Sequence, residues 1–256
     1  MKLTFLGTGT SCGVPVIGCH CEVCTSADPR DKRMRTSALV ETEDARILID
    51  CGPDFYHQAL KMPFQRIDAI LLTHKHYDHV GGLDDVRPFF YEFGDIHVYA
   101  NADTAQAITQ TMPYCFGDHL YPGVPRLDLR TVEPHQTLKI GSTTVVPIEV
   151  MHKKLPILGY RIGERLAYIT DMKTIADSEY RYLEGVDTLV VNALRFTCDH
   201  PAHMLVDEAI AFARKIGARR TYFTHTTHDI GLHDAANARL PEGFRFAYDG
   251  QTITIR

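Results

Sequence analysis

Three histidines and an aspartate stand within six residues of the stretch THKHYDHVGGL, at 73–83. His74, His76, Asp78 and His79 offer imidazole and carboxylate donors, which suit Zn, Mn or Fe. The apolar run IDAILL before them reads as a strand, and a strand end followed by a tight turn can project all four donors to one side. A polar loop that merely contains histidines is the weaker interpretation, because H-x-H-x-D-H spacing seldom serves structure alone. The spacing predicts a metal site.

Further donors follow other apolar runs. His152 comes after TTVVPIEVM, Asp171 after RLAYIT and His225 after RTYFT. Each residue taken alone reads more naturally as a capping or solvated polar group at a strand end. Together with the loop they become candidate ligands, since two metals need more donors than one loop supplies. Such a pair generates a hydroxide nucleophile from bridging water and stabilises charge on a phosphoryl or carbonyl oxygen, so the expected reaction is hydrolysis.

Three of the seven cysteines, Cys19, Cys21 and Cys24, lie in the segment GCHCEVC. A disulfide knot, a reactive thiol and a metal site lacking its fourth ligand all fit this spacing. The N-terminus fails as a secretory signal and no apolar run approaches membrane-spanning length, so we expect a cytoplasmic protein with no membrane partner. Thiols and metal ligands are more common than disulfides in that compartment, and the odd cysteine count agrees.

Length and charge limit the function classes. A chain of 256 residues with 45% hydrophobic and 23% charged residues predicts one globular domain over residues 1–256. Its net charge is −5, and its longest basic clusters lie at 28–35 and 218–220. Neither cluster indicates a nucleic-acid surface, so nucleic acid is disfavoured as a partner.

Most of the chain reads as short β-runs separated by turns, with few helices between them, which predicts two sheets with outer helices. The segment LVDEAIAFARKIGA, at 205–218, has apolar residues at helical spacing and ends at Gly217, so it predicts a surface helix. The C-terminal run FRFAYDGQTITIR reads as strand. The predicted strands are KLTFLG, SALVET, ARILIDC, DAILLTH, DIHVYA, TTVVPIEV, LGYRIG, RLAYITD, DTLVVNA, RRTYFTH and FRFAYDGQTITIR.

The loop THKHYDH, the upstream LIDCG and the later strand-end His, Asp and His resemble the metallo-β-lactamase superfamily over essentially the whole chain. The resemblance implies an α/β fold, a four-layer αββα sandwich of two mixed sheets flanked by helices, with a dinuclear site between the sheet edges. It implies one metal on His74, His76 and His152, a second on Asp78, His79 and His225, a bridge at Asp171, and support of the site from Asp50.

The N-terminal stretch GTGTSCGVPVIGCHCEVC is similar to PhnP-type phosphodiesterases, which hydrolyse cyclic phosphates such as a phosphoribosyl 1,2-cyclic phosphate. HKKLPILGY after His152 resembles the same group. This resemblance implies a further histidine near the substrate, for which His203 in DHPAHMLVDEA matches best and His200 competes; a histidine that only precedes the helix is the alternative. It also implies a structural zinc held by Cys19, Cys21, Cys24 and His228.

These residues together predict a dinuclear phosphodiesterase with Zn or Mn in its active site and one structural Zn. Asp78, Asp171 and His203 are its candidate catalytic residues, His203 as a general acid. Asp171 precedes Met172 where tRNA-processing relatives usually show Asp-Thr, which favours a small substrate: a cyclic phosphate, nucleotide or sugar phosphate. Another hydrolase of the fold and a non-catalytic phosphate-binding protein stay open, as do a homodimer and the role of the aromatic-rich segment 88–121.

Overall fold

The computed structural model describes residues 1–116 and 123–256. The strands in these ranges are β1 Lys2–Gly7, β2 Ser37–Glu41, β3 Arg46–Ile49, β4 Ala69–Leu71, β5 Ile96–Ala100, β6 Leu127–Thr131, β7 Leu138–Ile140, β8 Thr143–His152, β9 Leu155–Ile162, β10 Leu166–Ile169, β11 Thr188–Asn192, β12 Arg220–Thr224, β13 Phe244–Phe246 and β14 Thr252–Thr254. The helices are α1 Glu22–Thr25, α2 Phe55–Ala59, α3 Tyr77–Val80, α4 Arg87–Phe93, α5 Ala102–Thr111, α6 Val206–Ile216 and α7 His233–Ala238.

The strands form two seven-stranded sheets. The first has the order β14-β1-β2-β3-β4-β5-β6 and the second β13-β12-β11-β10-β9-β8-β7. Strands β3 to β6 are parallel in the first sheet, as are β10 to β13 in the second, while the remaining pairs are antiparallel. The predicted fold class, two mixed sheets flanked by helices, is confirmed. That residues 1–256 form one domain stays the prediction made from length.

The main core lies between the two sheets. Phe5 and Ile47 from the first sheet share one buried cluster with Tyr160 and Tyr168 from the second, and all four side chains are fully buried. Alternate residues of each strand point the other way, toward the helices. Because burying one large apolar side chain stabilises a fold by about 1.5–3 kcal/mol, this shared layer holds the sheets together and fixes the edge where their strands end.

Helices cover both outer faces. Ile70 of β4 packs with Phe55 of α2 in one buried cluster, and Phe223 of β12 packs with Phe212 of α6 in another. Helix α6 falls within the predicted 205–218 and stops where Gly217 adopts a left-handed φ of 81°. The order helix, sheet, sheet, helix is therefore the predicted αββα sandwich.

The C-terminal run is not one strand. Its residues divide between β13 in the second sheet and β14 in the first, because the chain turns at Asp249 and Gly250, whose φ is 86°. Asp249 accepts hydrogen bonds from Thr8 Oγ1 at 2.8 Å and Met34 N at 2.7 Å. Burial raises the pKa of Asp249 to about 6. The buried Arg33 donates to Thr8 Oγ1 at 2.8 Å, so the turn and the end of β1 share one polar network.

The aromatic side chains of segment 88–121 divide between the core and the surface. Phe89 and Tyr99 are buried, whereas Tyr91 and Tyr114 are exposed, and Tyr121 lies outside the described residues. Two of these four described side chains, Phe89 and Tyr99, therefore belong to the core. None of the helices in the described part of the chain is long and apolar enough to cross a membrane.

Candidate metal centre

The predicted ligands meet because the strands that precede them end at one edge. Strands β3 and β4 are parallel, and β8 runs in the same direction as β10 since β9 is antiparallel to both. Asp50, Asp171 and His225 each follow the end of a strand with φ of 57°, 58° and 52°. This left-handed backbone is uncommon in residues other than glycine, although aspartate and histidine tolerate it better than most. It reverses the chain directly at the site.

One group of donors joins the loop to β8. The Nε2 atom of His74 lies 2.9 Å from Nδ1 of His76, and with His152 their donor atoms all fall within 4.8 Å of one another. His152 Nδ1 donates to the backbone oxygens of Asp171 at 2.8 Å and Ala202 at 3.1 Å, which leaves Nε2 free for the centre. Burial first, and His79 next, hold the pKa of His74 well below its ordinary value. A neutral imidazole such as that of His74 is suited to bind a cation.

A second group joins α3 to β12. The Oδ2 atom of Asp78 lies 3.4 Å from Nε2 of His79 and 3.6 Å from Nε2 of His225. All three side chains are buried. Burial opposes ionisation of Asp78, but the neighbouring imidazoles of His225 and His79 outweigh it and hold the pKa of the carboxyl well below its usual range. This second group therefore contains an ionised carboxylate, whereas the first consists of histidines alone.

Asp171 stands between the two groups. Its Oδ2 atom is 3.3 Å from His225 Nε2, 3.4 Å from His79 Nε2 and 3.8 Å from His74 Nε2. Burial opposes its ionisation, yet the surrounding histidines, His225 foremost, hold the pKa of Asp171 well below its ordinary value. One carboxylate within reach of both donor sets is the arrangement that a bridging ligand requires.

Unsatisfied buried atoms test whether this donor set fits metal ions. His79 Nε2 and both ring nitrogens of His225 are buried without a hydrogen-bond partner among the described residues. Buried polar atoms are nearly always paired, so an exception at a cluster of ligand-type side chains calls for an explanation. Two cations between the carboxylates would pair His79 Nε2 and His225 Nε2, the nitrogens that face Asp171. The residues present fit a dinuclear site.

Asp50 lies behind the ligands rather than among them. It accepts from His79 Nδ1 at 2.7 Å, from Thr73 N at 2.8 Å and from Thr73 Oγ1 at 2.9 Å. A carboxylate that accepts a hydrogen bond from Nδ1–H of a histidine fixes the ring so that Nε2 faces the metal. The structure therefore places Asp50 where the resemblance implied a supporting residue.

The cysteine segment forms a separate cluster. His228 Nδ1 lies 3.4 Å from Cys19 Sγ, 3.2 Å from Cys21 Sγ and 3.4 Å from Cys24 Sγ, and all seven cysteines of the chain are free of disulfides. Hydrogen bonding from the Cys24 backbone first, and His228 next, lowers the pKa of Cys21 to about 6, which favours the thiolate. Three thiols and one imidazole are a donor set of structural zinc sites, with no position left for substrate.

The sequence between β3 and β12 carries a known domain. Residues 45–226 match the family described as Beta-lactamase superfamily domain. The chain belongs to that superfamily. A crystal structure described as a new diphosphatase from the PhnP family is 39% identical, with a TM-score of 0.91 and coverage of 100% of this chain and 98% of that one. The resemblance to the superfamily and to its PhnP-type members is confirmed.

Two curated relatives extend the comparison. A protein of Porphyromonas gingivalis (strain ATCC BAA-308 / W83) named Octanoyltransferase is 44% identical over 256 residues, 100% of this chain and 52% of that protein. Ribonuclease Z of Bradyrhizobium sp. (strain ORS 278) is 29% identical over 201 residues, 69% of this chain and 59% of that protein. The chain spans little more than half the length of each, and each name describes the whole protein.

His203 borders the metal centre of this superfamily member. Its ring lies 4.7 Å from that of His152 and 4.8 Å from that of His225, measured between centroids. Its Nδ1 is buried without a hydrogen-bond partner in the described part of the chain. Burial lowers the pKa of His203 to about 3, so the ring is neutral at pH 7. His200 lies one ring further out, 4.9 Å from His203. The geometry favours His203 over its competitor.

Two features of the site were missed by sequence reasoning. Ser11, in the N-terminal stretch GTGTSCG, donates from Oγ to Asp78 Oδ2 at 2.7 Å. Gly52, which ends LIDCG, lies so close to the chain that a Cβ there would fall 2.0 Å from the backbone oxygen of Asp78. Only a glycine permits that approach. The signal for Gly52 was its place two residues after the supporting Asp50, whereas nothing in the spacing of Ser11 indicated its partner.

Proposed function

We propose that this chain is a dinuclear metal-dependent phosphodiesterase acting on small or cyclic phosphate esters. Membership in the superfamily supports a metal-dependent hydrolase. The observation that carries the proposal is the position of Asp171 between two donor groups, each with three further ligands. The resemblance to a PhnP-family diphosphatase supports a phosphate substrate. Zn or Mn in the active site and Zn on the cysteine cluster are part of the proposal.

Two divalent metals, when bound, would supply a water-derived nucleophile at neutral pH and stabilise charge on phosphoryl oxygens. Asp171 would hold both of them in register. Asp78 would ligate on the side of His79 and His225. His203, neutral and one ring from the ligands, would donate a proton in a hydrogen bond to the leaving oxygen.

The activity is tested on purified, metal-loaded protein with bis(p-nitrophenyl) phosphate and 2′,3′-cyclic nucleotides. We expect turnover of at least one of them, and its loss in Asp171→Asn. Asp177→Asn is the matched control, because Asp177 is an exposed carboxylate whose partner is Lys215 on the surface. Absence of turnover on every phosphodiester, with activity on a thioester or a lactam, would overturn the proposal.

Testing the role of His203 as a general acid requires substrates that differ in their leaving group. General acid catalysis is worth about 10²- to 10⁴-fold, and a nitrophenolate needs it far less than a ribose or alkyl oxygen does. We therefore expect His203→Ala to slow cyclic nucleotides much more than bis(p-nitrophenyl) phosphate, while His200→Ala slows neither selectively. Equal losses on both substrates would remove the acid role from His203.

A second candidate is thioester or acyl-transfer chemistry, which the name of the Porphyromonas gingivalis relative favours through 44% identity over this whole chain. Octanoyl thioesters added to the same substrate panel distinguish the two. A binding protein without turnover is distinguished by a thermal-shift screen with phosphorylated sugars and nucleotides. A small phosphorylated partner, a cytoplasmic location and the absence of a nucleic-acid partner stay predictions.

A further inference from the structure

A loop that offers no histidine or carboxylate nevertheless touches the metal centre. Ser11 lies between β1 and the cysteine segment, and its hydroxyl donates to Asp78 Oδ2 at 2.7 Å. That same oxygen is the one that faces His79 and His225, at 3.4 and 3.6 Å. Residue 11 is itself exposed at the mouth of the site. The contact therefore joins the surface of the cleft to a buried ligand.

The backbone around Ser11 is held by several segments of the chain. Gly9 forms bridges with Arg35 and with Thr226, the residue after the candidate ligand His225. The backbone nitrogen of Gly9 donates to Met34 O at 2.8 Å, and Arg35 Nε donates to the backbone oxygen of Ser11 at 3.2 Å. On a free loop, the entropic cost of ordering the serine would offset much of the free energy of its hydrogen bond. On an anchored loop that cost is smaller, because the backbone is already held.

We propose that Ser11 is a positioning residue for the metal centre, acting through Asp78. A carboxylate on a short helix can rotate so that either oxygen faces the ions. A hydroxyl bonded to one oxygen restricts that rotation and orients the remaining lone pairs toward His79 and His225. Hydrogen bonds to ionised groups are shorter and stronger than neutral ones, which makes a serine effective in this place. The inference rests on the metal centre of the proposed function and not on its substrate.

The test measures metal affinity with Ser11→Ala, Ser11→Thr and the neighbouring Cys12→Ala as a matched control. Zn or Mn is titrated into metal-free protein against a chromophoric chelator. Partners of metal ligands are typically worth 10- to 100-fold in affinity. We expect Ser11→Ala to weaken one of the two active-site ions by about that factor, with the thermal midpoint of the metal-free protein unchanged. Ser11→Thr, which keeps the hydroxyl, should restore most of the affinity.

Measuring turnover tests the same inference in a second way. If Ser11 orients a ligand, Ser11→Ala should lower kcat at a fixed, subsaturating metal concentration, and a higher metal concentration should restore it. The KM for the ester should change little. Wild-type metal affinity in Ser11→Ala, or an equal loss in Cys12→Ala, would overturn the inference. A wild-type protein that binds two metals but hydrolyses no phosphodiester would overturn the proposed function alone, since the affinity comparison needs no substrate.

Discussion

Replacing Asp50 by asparagine should remove metal from a protein that still folds. Asp50 is fully buried and accepts a hydrogen bond from His79 Nδ1 on Oδ2 at 2.7 Å, while Oδ1 accepts from Thr73 N at 2.8 Å. Asparagine keeps the oxygen that faces Thr73 but presents an NH₂ group to His79. The ring must then accept at Nδ1 and carry its proton on Nε2, the nitrogen directed at Asp171. A protonated nitrogen has no lone pair for a metal.

The contacts that each substitution removes determine how strongly it lowers metal affinity or stability. Loss of an orienting partner costs about 10- to 100-fold in metal affinity, or about 1.4–2.7 kcal/mol. Asp50→Ala should be much worse for folding, because it leaves the three donors on His79 and Thr73 without acceptors. At about 1–3 kcal/mol for each buried unsatisfied group, the free energy of unfolding falls by about 3 kcal/mol or more. Whole domains have only about 5–15 kcal/mol, so the asparagine variant is the cleaner experiment.

Three measurements check this reasoning. Urea denaturation of the metal-free proteins should rank wild type and Asp50→Asn close together and Asp50→Ala well below them. Chelator competition should show the affinity loss in Asp50→Asn. Nitrogen-15 spectra of the histidine rings should show the proton of His79 moved to Nε2. Wild-type metal affinity in Asp50→Asn, with Nε2 unprotonated, would refute the role assigned to Asp50.

Three further predictions concern residues outside the active-site ligands. His228→Ala should release the zinc expected on the cysteine cluster and lower the thermal midpoint, with a smaller effect on kcat; metal analysis after gentle chelation checks it. Asp249 has its pKa raised to about 6 from an ordinary 3.8 by burial, so its contribution to folding is complete below pH 4 and declines as the pH rises to 6. The free energy of unfolding of Asp249→Asn, relative to that of wild type, should therefore rise by about 3 kcal/mol between pH 4 and pH 7. Urea denaturation at each pH measures this difference. Gly52→Ala should displace the backbone at Asp78, because a Cβ at position 52 would lie 2.0 Å from the backbone oxygen of Asp78. The variant should therefore bind less metal, and a wild-type metal content would contradict this prediction.

Several of the predicted ligands could be located from the sequence because they follow one local rule, whereas the full ligand set came from the resemblance to the superfamily. A polar residue that ends an apolar run lies at the carboxyl end of a strand, and parallel strands end at a common edge. Asp171 and His225 follow this rule in the second sheet and His74 follows it in the first. The two Thr-His stretches, at 73–79 and 224–228, thus leave different sheets and meet at one centre.

Contacts between distant segments could not be read in this way. The bond from Ser11 to Asp78 joins residues 67 positions apart, and the one from Thr8 to Asp249 joins residues 241 apart. Neither pair has a periodicity or a spacing that marks it. The turn that divides the C-terminal run between two sheets also involves distant segments, since Asp249 accepts hydrogen bonds from Thr8 Oγ1 and Met34 N.

The left-handed backbone of Asp50, Asp171 and His225 sets natural selection for activity against selection for stability. Each such residue costs a fold on the order of 1–3 kcal/mol, while glycine adopts the same angles freely and loses about 0.5–1 kcal/mol in entropy. Asp171→Gly should therefore give a metal-free protein that is inactive and at least as stable as wild type. In a lineage released from its reaction, Asp171 and His225 should drift toward glycine before Asp50, whose carboxylate also satisfies three buried donors.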